Sequence, residues 1–289
     1  MTIKIAVVGS INMDLVTSVK KVPAAGETVM GEAFATMPGG KGANQAVAAA
    51  RLGAEVSMIG CLGSDYLGDG LLEVLKKEGI RTEAVKRVEG SSGTASIILS
   101  EGDNRIIVVP GANHEMTPQW IEENRNVIED SDLLLVQLEI PLNCVQIALE
   151  IAKAANVKTI LNPAPMTKLP AEIIQLADYI TPNEHEYQTL SEEFSIAELS
   201  SRLIITMGDE GVLFYEDGKE VRIPAFNVPV RDTTGAGDTF NGALGVAICE
   251  QLGLKEAISF ANRAAALSIT QIGAQNGMPT KKKIQQFFE

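Results

Sequence analysis

A doubly wound, mostly parallel α/β sheet flanked by helices and carrying a small β-sheet lid is the fold that this sequence predicts. Three observations predict it. Short apolar runs of strand length recur along the chain, helix-period segments alternate with them, and two stretches rich in β-branched residues interrupt the alternation. A continuous apolar run of four to eight residues marks a strand buried on both faces, and a parallel sheet needs a crossover, usually a helix, between successive strands.

Ile3–Gly9 is the first such run, ending in glycine, and others follow at Val56–Gly60, Leu133–Leu138, Lys158–Asn162, Tyr179–Thr181 and Leu203–Thr206. Helix-period segments lie between them at Ala46–Leu52, Leu67–Glu78, Leu142–Ala155 and Glu172–Ala177. Ligands of doubly wound sheets sit beyond the carboxyl ends of the strands, and Asn12, Asp14, Glu139, Asn162 and Asn183 fall there. Leu15–Met37 and Thr94–Val109 break the pattern. Their turn signals, Ala25-Gly26 and Glu101-Gly102-Asp103-Asn104, make them hairpin strands outside the main layer. With no repeat and no low-complexity linker, residues 1–289 read as one domain, its lid built from about 15–37 and 94–109.

Bulk composition narrows the function classes. Apolar residues at 45% with 21% charged fit a soluble globular protein, and 289 residues can bury a substantial core. The formal net charge of −13 leaves no basic face for nucleic acid or an anionic membrane, and Lys281-Lys282-Lys283 reads as a solvated helix start. Cys61, Cys144 and Cys249 are widely separated in apolar surroundings and read as reduced core thiols. Two histidines, His114 and His185, argue against a His-rich zinc site and a Ser-His-Asp hydrolase. The chain begins on a strand without a charged-then-apolar leader, and no apolar run has the length of a membrane span, so the expected location is the cytoplasm.

The chemistry is concentrated in two glycine turns that feed Ala-rich helices. Asp232-Thr233-Thr234-Gly235-Ala236-Gly237-Asp238-Thr239 precedes an apolar helix beginning near Asp238, whose free amides and dipole suit an anion. A carboxylate there fits two readings: an ordinary helix cap, or a base beside a cradle for charge that develops during phosphoryl transfer. Pro38-Gly39-Gly40-Lys41-Gly42-Ala43-Asn44-Gln45 is the second turn, with Lys41 and Asn44 at its mouth. Neither turn is a P-loop, because Gly40-Lys41 is followed by Gly42 and Ala35 stands where the leading glycine belongs, and no GxGxxG follows the first strand.

Together with Gly9-Ser10-Ile11-Asn12-Met13-Asp14, these motifs resemble, in order and from about Ile5 to Gln275, the ribokinase family of sugar kinases. The resemblance implies ATP-dependent phosphorylation of D-ribose at O5, with the amides of Gly235, Ala236 and Gly237 as anion hole and Asp238 as base. It implies a sugar site of Asn12, Met13, Asp14, Gly39, Gly40, Lys41, Asn44 and Glu139, in which Asp14 grips a vicinal diol. Glu139 follows an apolar strand and is either such a ligand, the favoured reading, or a helix-dipole partner. For ATP and Mg²⁺, the Asn-x-x-Glu pattern implies Asn183 near the phosphates and Glu186 organising the metal and its waters, although the pair also reads as a helix cap. Thr206, Met207, Gly208, Asp209, Glu210 and Gly211 would border the nucleotide, and Asn262 the adenine. Potassium is implied beside the cradle, held by Asp232 and Thr234 and by Ser268, Gln271 and Gly273.

Two departures from the family pattern stand out. Gln275-Asn276-Gly277 replaces the usual Gln-Pro-Ser and removes a hydroxyl from the cation site at Gly277, and the link between Glu186 and Thr206 is short. The family's lids often pair between subunits, which makes a homodimer the expected assembly, with sugar and ATP as the only other partners. A kinase for deoxyribose, fructose or adenosine is the nearest rival, and a non-catalytic sugar- or nucleotide-binding regulator on the same fold is the rival from another class.

Overall fold

The computed structural model describes residues 2–100 and 103–288, so Glu101 and Gly102, the first half of one expected turn, lie outside the described residues. The chain opens with β1 (Lys4–Val8), β2 (Asn12–Ser18) and β3 (Ala33–Gly39), then α1 (Lys41–Arg51), β4 (Glu55–Gly63), α2 (Tyr66–Lys77) and β5 (Val85–Val88). A second hairpin, β6 (Gly93–Ser100) and β7 (Asp103–Val109), precedes β8 (Leu133–Gln137), α3 (Leu142–Ala154), β9 (Lys158–Asn162) and β10 (Tyr179–Ile180). Then come α4 (Glu184–Glu193), β11 (Ile204–Thr206), β12 (Val212–Glu216), β13 (Lys219–Ile223), α5 (Ala236–Cys249), α6 (Leu254–Ser268) and the single turn α7 (Ala274–Gly277).

The main sheet has the order β10-β9-β8-β1-β4-β5 and every pairing in it is parallel. From β1 the chain moves outward through β4 and β5, then returns to start the other half at β8. The switch point therefore lies between β1 and β8, where doubly wound sheets bind ligands. Side chains alternate across the sheet. Ile5 and Val7 join the core with Ala46, Val47 and Leu244, whereas Ala6 and Val8 join the opposite core with Val145, Ala148 and Leu149.

The lid is a mixed four-stranded sheet of order β3-β2-β6-β7. Its two antiparallel hairpins, β2/β3 and β6/β7, are stitched together by a parallel ladder from Asn12↔Gly93 to Ser18↔Leu99. Its strands begin at Asn12 and end at Gly39, beyond the expected bounds at both ends. Asn12 and Asp14 are consequently lid residues, not residues of a loop beyond β1.

One expected main-sheet strand behaves differently. Leu203–Thr206 contributes β11, which pairs antiparallel with β12 in a separate three-stranded sheet and meets the main sheet only through the isolated bridges Ile180↔Leu203 and Asn183↔Thr206. The hairpin that captures β11 turns at Asp217-Gly218, both at positive φ, an Asp-Gly signal that periodicity alone passes over. The short link before β11 closes without disrupting the core: α4 buries Leu190 and a single turn at Ile196–Leu199 buries Leu199.

Glycine fixes the distance between α1 and α5. A Cβ on Gly242 would lie 2.7 Å from Ala48 Cβ and 2.8 Å from the Gln45 carbonyl, so the two helices touch backbone to backbone one turn beyond Asp238. Among the described residues no helix is long and apolar enough to cross a membrane.

Candidate active site

The switch point is bridged by side chains. Ser10, just after β1, donates its hydroxyl to Glu139 Oε2 at 2.5 Å, and the Lys41 amide at the start of α1 donates to the same oxygen at 3.1 Å. Glu139 thus serves the N-terminus of α1, the dipole role that sequence reading set second, while Oε1 is left as an acceptor. Gly40 caps α1 at φ 86°, where a Cβ would press on the Asn12 amide at 2.7 Å. A side chain on Gly39 would lie 2.5–2.7 Å from the Asp14 carboxylate, so Gly39 makes the room that Asp14 occupies. Asn12 is buried, and its Oδ1 accepts from Asn113 Nδ2 at 2.7 Å. Met13 packs against the core beneath the lid.

Asp238 stands in the first turn of α5, after Gly235 in the left-handed conformation (φ 77°). Gly235 has no room for a side chain, since a Cβ would meet Ala274 Cβ at 2.7 Å. The Ala236 amide donates to the Thr233 carbonyl at 3.2 Å, which leaves Gly237 and Asp238 as the first-turn amides without a helical acceptor. Both oxygens of Asp238 are held from α1: Asn44 Nδ2 donates to Oδ2 at 2.9 Å and Gln45 Nε2 to Oδ1 at 3.1 Å.

Three carboxylates, Asp238, Glu139 and Glu186, act on Lys41, and Asp14 feels Glu139 and Asp238 from the lid. Burial pushes Asp14 up to about 7, with Glu139 and Asp238 adding to it. Burial also raises Asp238 above the usual carboxylate range, against the opposing pull of Lys41, Asn44 and Gln45. Burial alone would lower Lys41, but Asp238, Glu139 and Glu186 outweigh it and hold the ammonium charged.

A cavity of about 430 Å³ opens beside this cluster, lined by Lys41, Gly237 and Asp238 on one side and by Asn183, Glu186 and Thr206 on the other. Asn183 and Glu186 form a reciprocal capping box at the start of α4, with bonds of 2.9 and 2.8 Å. Burial raises Glu186, partly offset by the Asn183 amide and by Lys41. A second cavity of about 400 Å³ continues past Gly208, Asp209, Ala236 and Asn262. Asn262 lines both and donates to the Pro224 carbonyl at 2.9 Å. Gly211 also lines the first cavity, but two residues of that turn face elsewhere: Met207 packs into a core and Glu210 faces Arg222 at 3.6 Å.

The last predicted group gathers at the far end of the cradle. Asp232 accepts from the Thr234 amide at 2.9 Å and from the Gly273 amide at 2.8 Å, and these bonds overcome its partial burial to hold it below the usual range. The Ser268 carbonyl accepts from the Gln271 amide at 3.4 Å and Gly273 from the Gly277 amide at 3.3 Å. Gly277 itself packs on the Ser268 carbonyl so closely that a Cβ would collide with it.

The chain is similar to known proteins over nearly its whole length. Residues 2–281 match the family described as pfkB family carbohydrate kinase. The chain belongs to the pfkB family of carbohydrate kinases. It is 48% identical to the ribokinase of Bacillus subtilis over 287 residues, 98% of each chain. Among solved structures it is similar to the ribokinase of Thermotoga maritima (TM-score 0.89, 38% identity, 99% of both chains). It is also similar to an Arabidopsis thaliana ribokinase complexed with ribose and ATP (TM-score 0.90, 30% identity, 99% of this chain and 98% of that one).

Within this pfkB-family site the structure adds Ser10, Gln45, Gln137, Asn113 and Gln275 to the residues read from sequence. Each is a buried polar residue. Gln45 carried one local signal: a polar side chain inside an Ala-rich helix otherwise committed to the core.

Proposed function

We propose that this chain is an ATP-dependent ribokinase, which transfers the γ-phosphoryl group of ATP to O5 of D-ribose and releases D-ribose 5-phosphate and ADP. The observation that carries the reading is the position of Asp238. It lines the cavity that runs toward Asn183 and Asn262, and it is hydrogen-bonded to Asn44 beside the lid. A carboxylate placed between two compartments can take a proton from an acceptor hydroxyl in one as phosphorus arrives from the other.

In this reading Asp14, Asn12, Asn44, Lys41 and Glu139 Oε1 bind the sugar hydroxyls under the lid, with Gly39 and Gly40 admitting it close to the backbone. The amides of Gly235 and Gly237, joined by that of Asp238 in place of the Ala236 amide that turns to the Thr233 carbonyl, face the charge that grows on the transferred group, and Lys41 adds a fixed positive charge beside it. Thr206, Gly208, Asp209, Gly211 and Asn262 border the nucleotide. Among the described residues no cluster of three or more His, Cys, Asp or Glu could hold a metal by itself. Magnesium would therefore ride on the ATP phosphates, facing Glu186 through its waters, and supply charge neutralisation.

Potassium would be held beside the cradle by Asp232 and by carbonyls of the Thr234, Ser268, Gln271 and Gly273 segments. The oxygen-only donor set and the ionised Asp232 suit a monovalent cation, and Gly277 backs it in place of a hydroxyl. The exposed apolar strand β7 supports lid-to-lid pairing as a homodimer. A cytoplasmic setting completes the reading, with all three cysteines as thiols whose burial holds them protonated.

The test is ADP production from Mg-ATP with D-ribose, 2-deoxy-D-ribose, D-fructose and adenosine, each in sodium and in potassium. Turnover highest on ribose and raised by potassium is expected. Preference for another acceptor moves the substrate, and absence of turnover on all four with binding intact replaces the kinase by a binding protein.

A further inference from the structure

The base proposed above is held by a chain of buried amides with one possible direction. Gln45 is fully buried. Its two amide hydrogens go to Asp238 Oδ1 and Asn162 Oδ1, each at 3.1 Å, and its Oε1 accepts from Gln137 Nε2 at 2.7 Å. Asn162 can only be an acceptor toward Gln45, because its own Nδ2 is spent on the Thr181 carbonyl at 3.0 Å. An ionised carboxylate only accepts, so reversing Gln45 would set its carbonyl against two oxygens. Reversing Gln137 would set oxygen against oxygen at the next link.

The other oxygen of Asp238 is served in the same manner. Asn44 Nδ2 donates to Oδ2, and its Oδ1 accepts from Gln275 Nε2 at 3.0 Å. Gln275 is anchored in turn through its backbone carbonyl, which accepts from Arg51, itself ion-paired with Glu78. The cost of the arrangement is visible at its end. Among the described residues Gln137 Oε1 is buried without a hydrogen-bond partner, wedged against Gly9. An unpaired buried acceptor is tolerated where the orientation it permits is needed.

Resting on the assignment of Asp238 as base, we propose that Gln45, oriented by Gln137, and Gln275, acting through Asn44, are positioning residues that hold the Asp238 carboxylate in one orientation toward the acceptor hydroxyl. Two of the carboxylate's four acceptor positions are thereby filled by fixed donors. The close contact of Gly242 with Ala48 and the Gln45 carbonyl sets the separation over which these bonds are made. The two arms differ in reach. Asn44 also belongs to the sugar site, so its arm reports the occupancy of that site, whereas Gln45 touches the base and not the sugar.

Gln45→Met keeps the length of the side chain and removes both donors. Its steady-state kinetics are to be compared with those of Gln137→Met, which leaves the Gln45 donors in place, and of Asp238→Asn. The charged groups facing Asp238 are Lys41 on α1, Glu139 after β8, Asp14 on β2 and Glu186 on α4, and all remain in these two glutamine variants.

The expected result for Gln45→Met is a 10- to 100-fold loss of kcat (roughly the share of a general base's contribution that depends on its placement), with KM for ribose and ATP within about threefold. The acid limb of its kcat–pH profile moves upward, because an ionised Asp238 has lost a donor. Gln137→Met is expected to lower thermal stability with a smaller loss of kcat. Placing Gln45→Met in the Asp238→Asn background should cost nothing further, since the carboxylate it serves is gone. An unchanged kcat and pH profile in Gln45→Met, with a lower melting temperature alone, makes the network structural and overturns the proposal. Near-normal turnover by Asp238→Asn overturns instead the base assignment on which it rests.

Discussion

Strands β1 and β7 are written in nearly the same alphabet and meet opposite fates. Ile5, Ala6, Val7 and Val8 are fully buried at the centre of the main sheet. Ile106, Ile107, Val108 and Val109, at the edge of the lid, are each about half exposed, from 48% to 62%. β1 is covered on both faces, whereas β7 ends its sheet and is exposed along its whole length. An apolar edge strand left open is an aggregation hazard unless something covers it. Phe34 on β3, at the other edge of the same sheet, is also exposed. The difference teaches that the main sheet buries its apolar strands within one chain, while the lid leaves apolar side chains open at both of its edges.

Breaking the buried half has the largest expected effect. Asp238→Asn is expected to lower kcat by about 10³-fold, within the range for loss of a general base, while ribose and ATP still bind by calorimetry. Breaking the open half comes next. Ile107→Glu should convert a dimer to monomers in sedimentation velocity and raise the KM for ribose about tenfold (roughly the weight of one lost apolar anchor), with the ATP site unaffected. A wild-type chain that sediments as a monomer at every concentration removes the contrast altogether.

A third measurement probes the seam between the halves, where Asp14 sits. Its carboxyl is pushed up to about 7 in the ligand-free protein and must be ionised to accept two hydroxyl protons. Ribose affinity should therefore rise with pH, about tenfold per unit below 7 and then level off, with a proton released on binding. Stability runs the other way. Between the ordinary carboxylate range and pH 7 the folded chain holds a proton that the unfolded chain has lost, so stability falls as pH rises through that window. Asp14→Asn should accordingly melt a few degrees higher and hold ribose poorly, a trade seen at many functional sites. A flat affinity profile from pH 5.5 to 8 would count against ionised Asp14 as the diol ligand.

The smallest effect is expected at Gly277. Restoring a serine there pushes a Cβ into the Ser268 carbonyl, costing about 1–3 kcal/mol for an overpacked site, read as a modest drop in melting temperature. A higher melting temperature with stronger potassium activation would mean that the loop opens to take the hydroxyl.

Much of this was readable in the sequence, for physical reasons. Parallel strands buried on both faces announce themselves as unbroken apolar runs, and Gly235 and Gly40 stand where helix starts need positive φ. What was hidden depends on long-range pairing. No local signal tells that Leu203–Thr206 will pair antiparallel with β12, because strand partners are chosen by tertiary packing. The second role of Glu139 was equally hidden, since its contact with the Lys41 amide spans 98 residues. Gln137, in an apolar strand, and Gln275, in the altered Gln275-Asn276-Gly277 segment, show no partner in the sequence until the fold delivers each to a residue of α1, 92 and 231 positions away.

If Asn12 and Asp14 bind the acceptor as proposed, their place on β2 gives it a mechanical part in its own reaction. The parallel ladder between β2 and β6 makes the two hairpins one plate, so a force on either residue is felt by all four strands. In the reaction proposed above, a sugar that satisfies both residues would latch the plate down; one that misses either would leave it ajar and admit water, a second acceptor always present at high concentration. Fidelity then becomes measurable as leakage, the ratio of ATP hydrolysed to sugar phosphorylated. That ratio grades acceptors by how well they shut the door behind them.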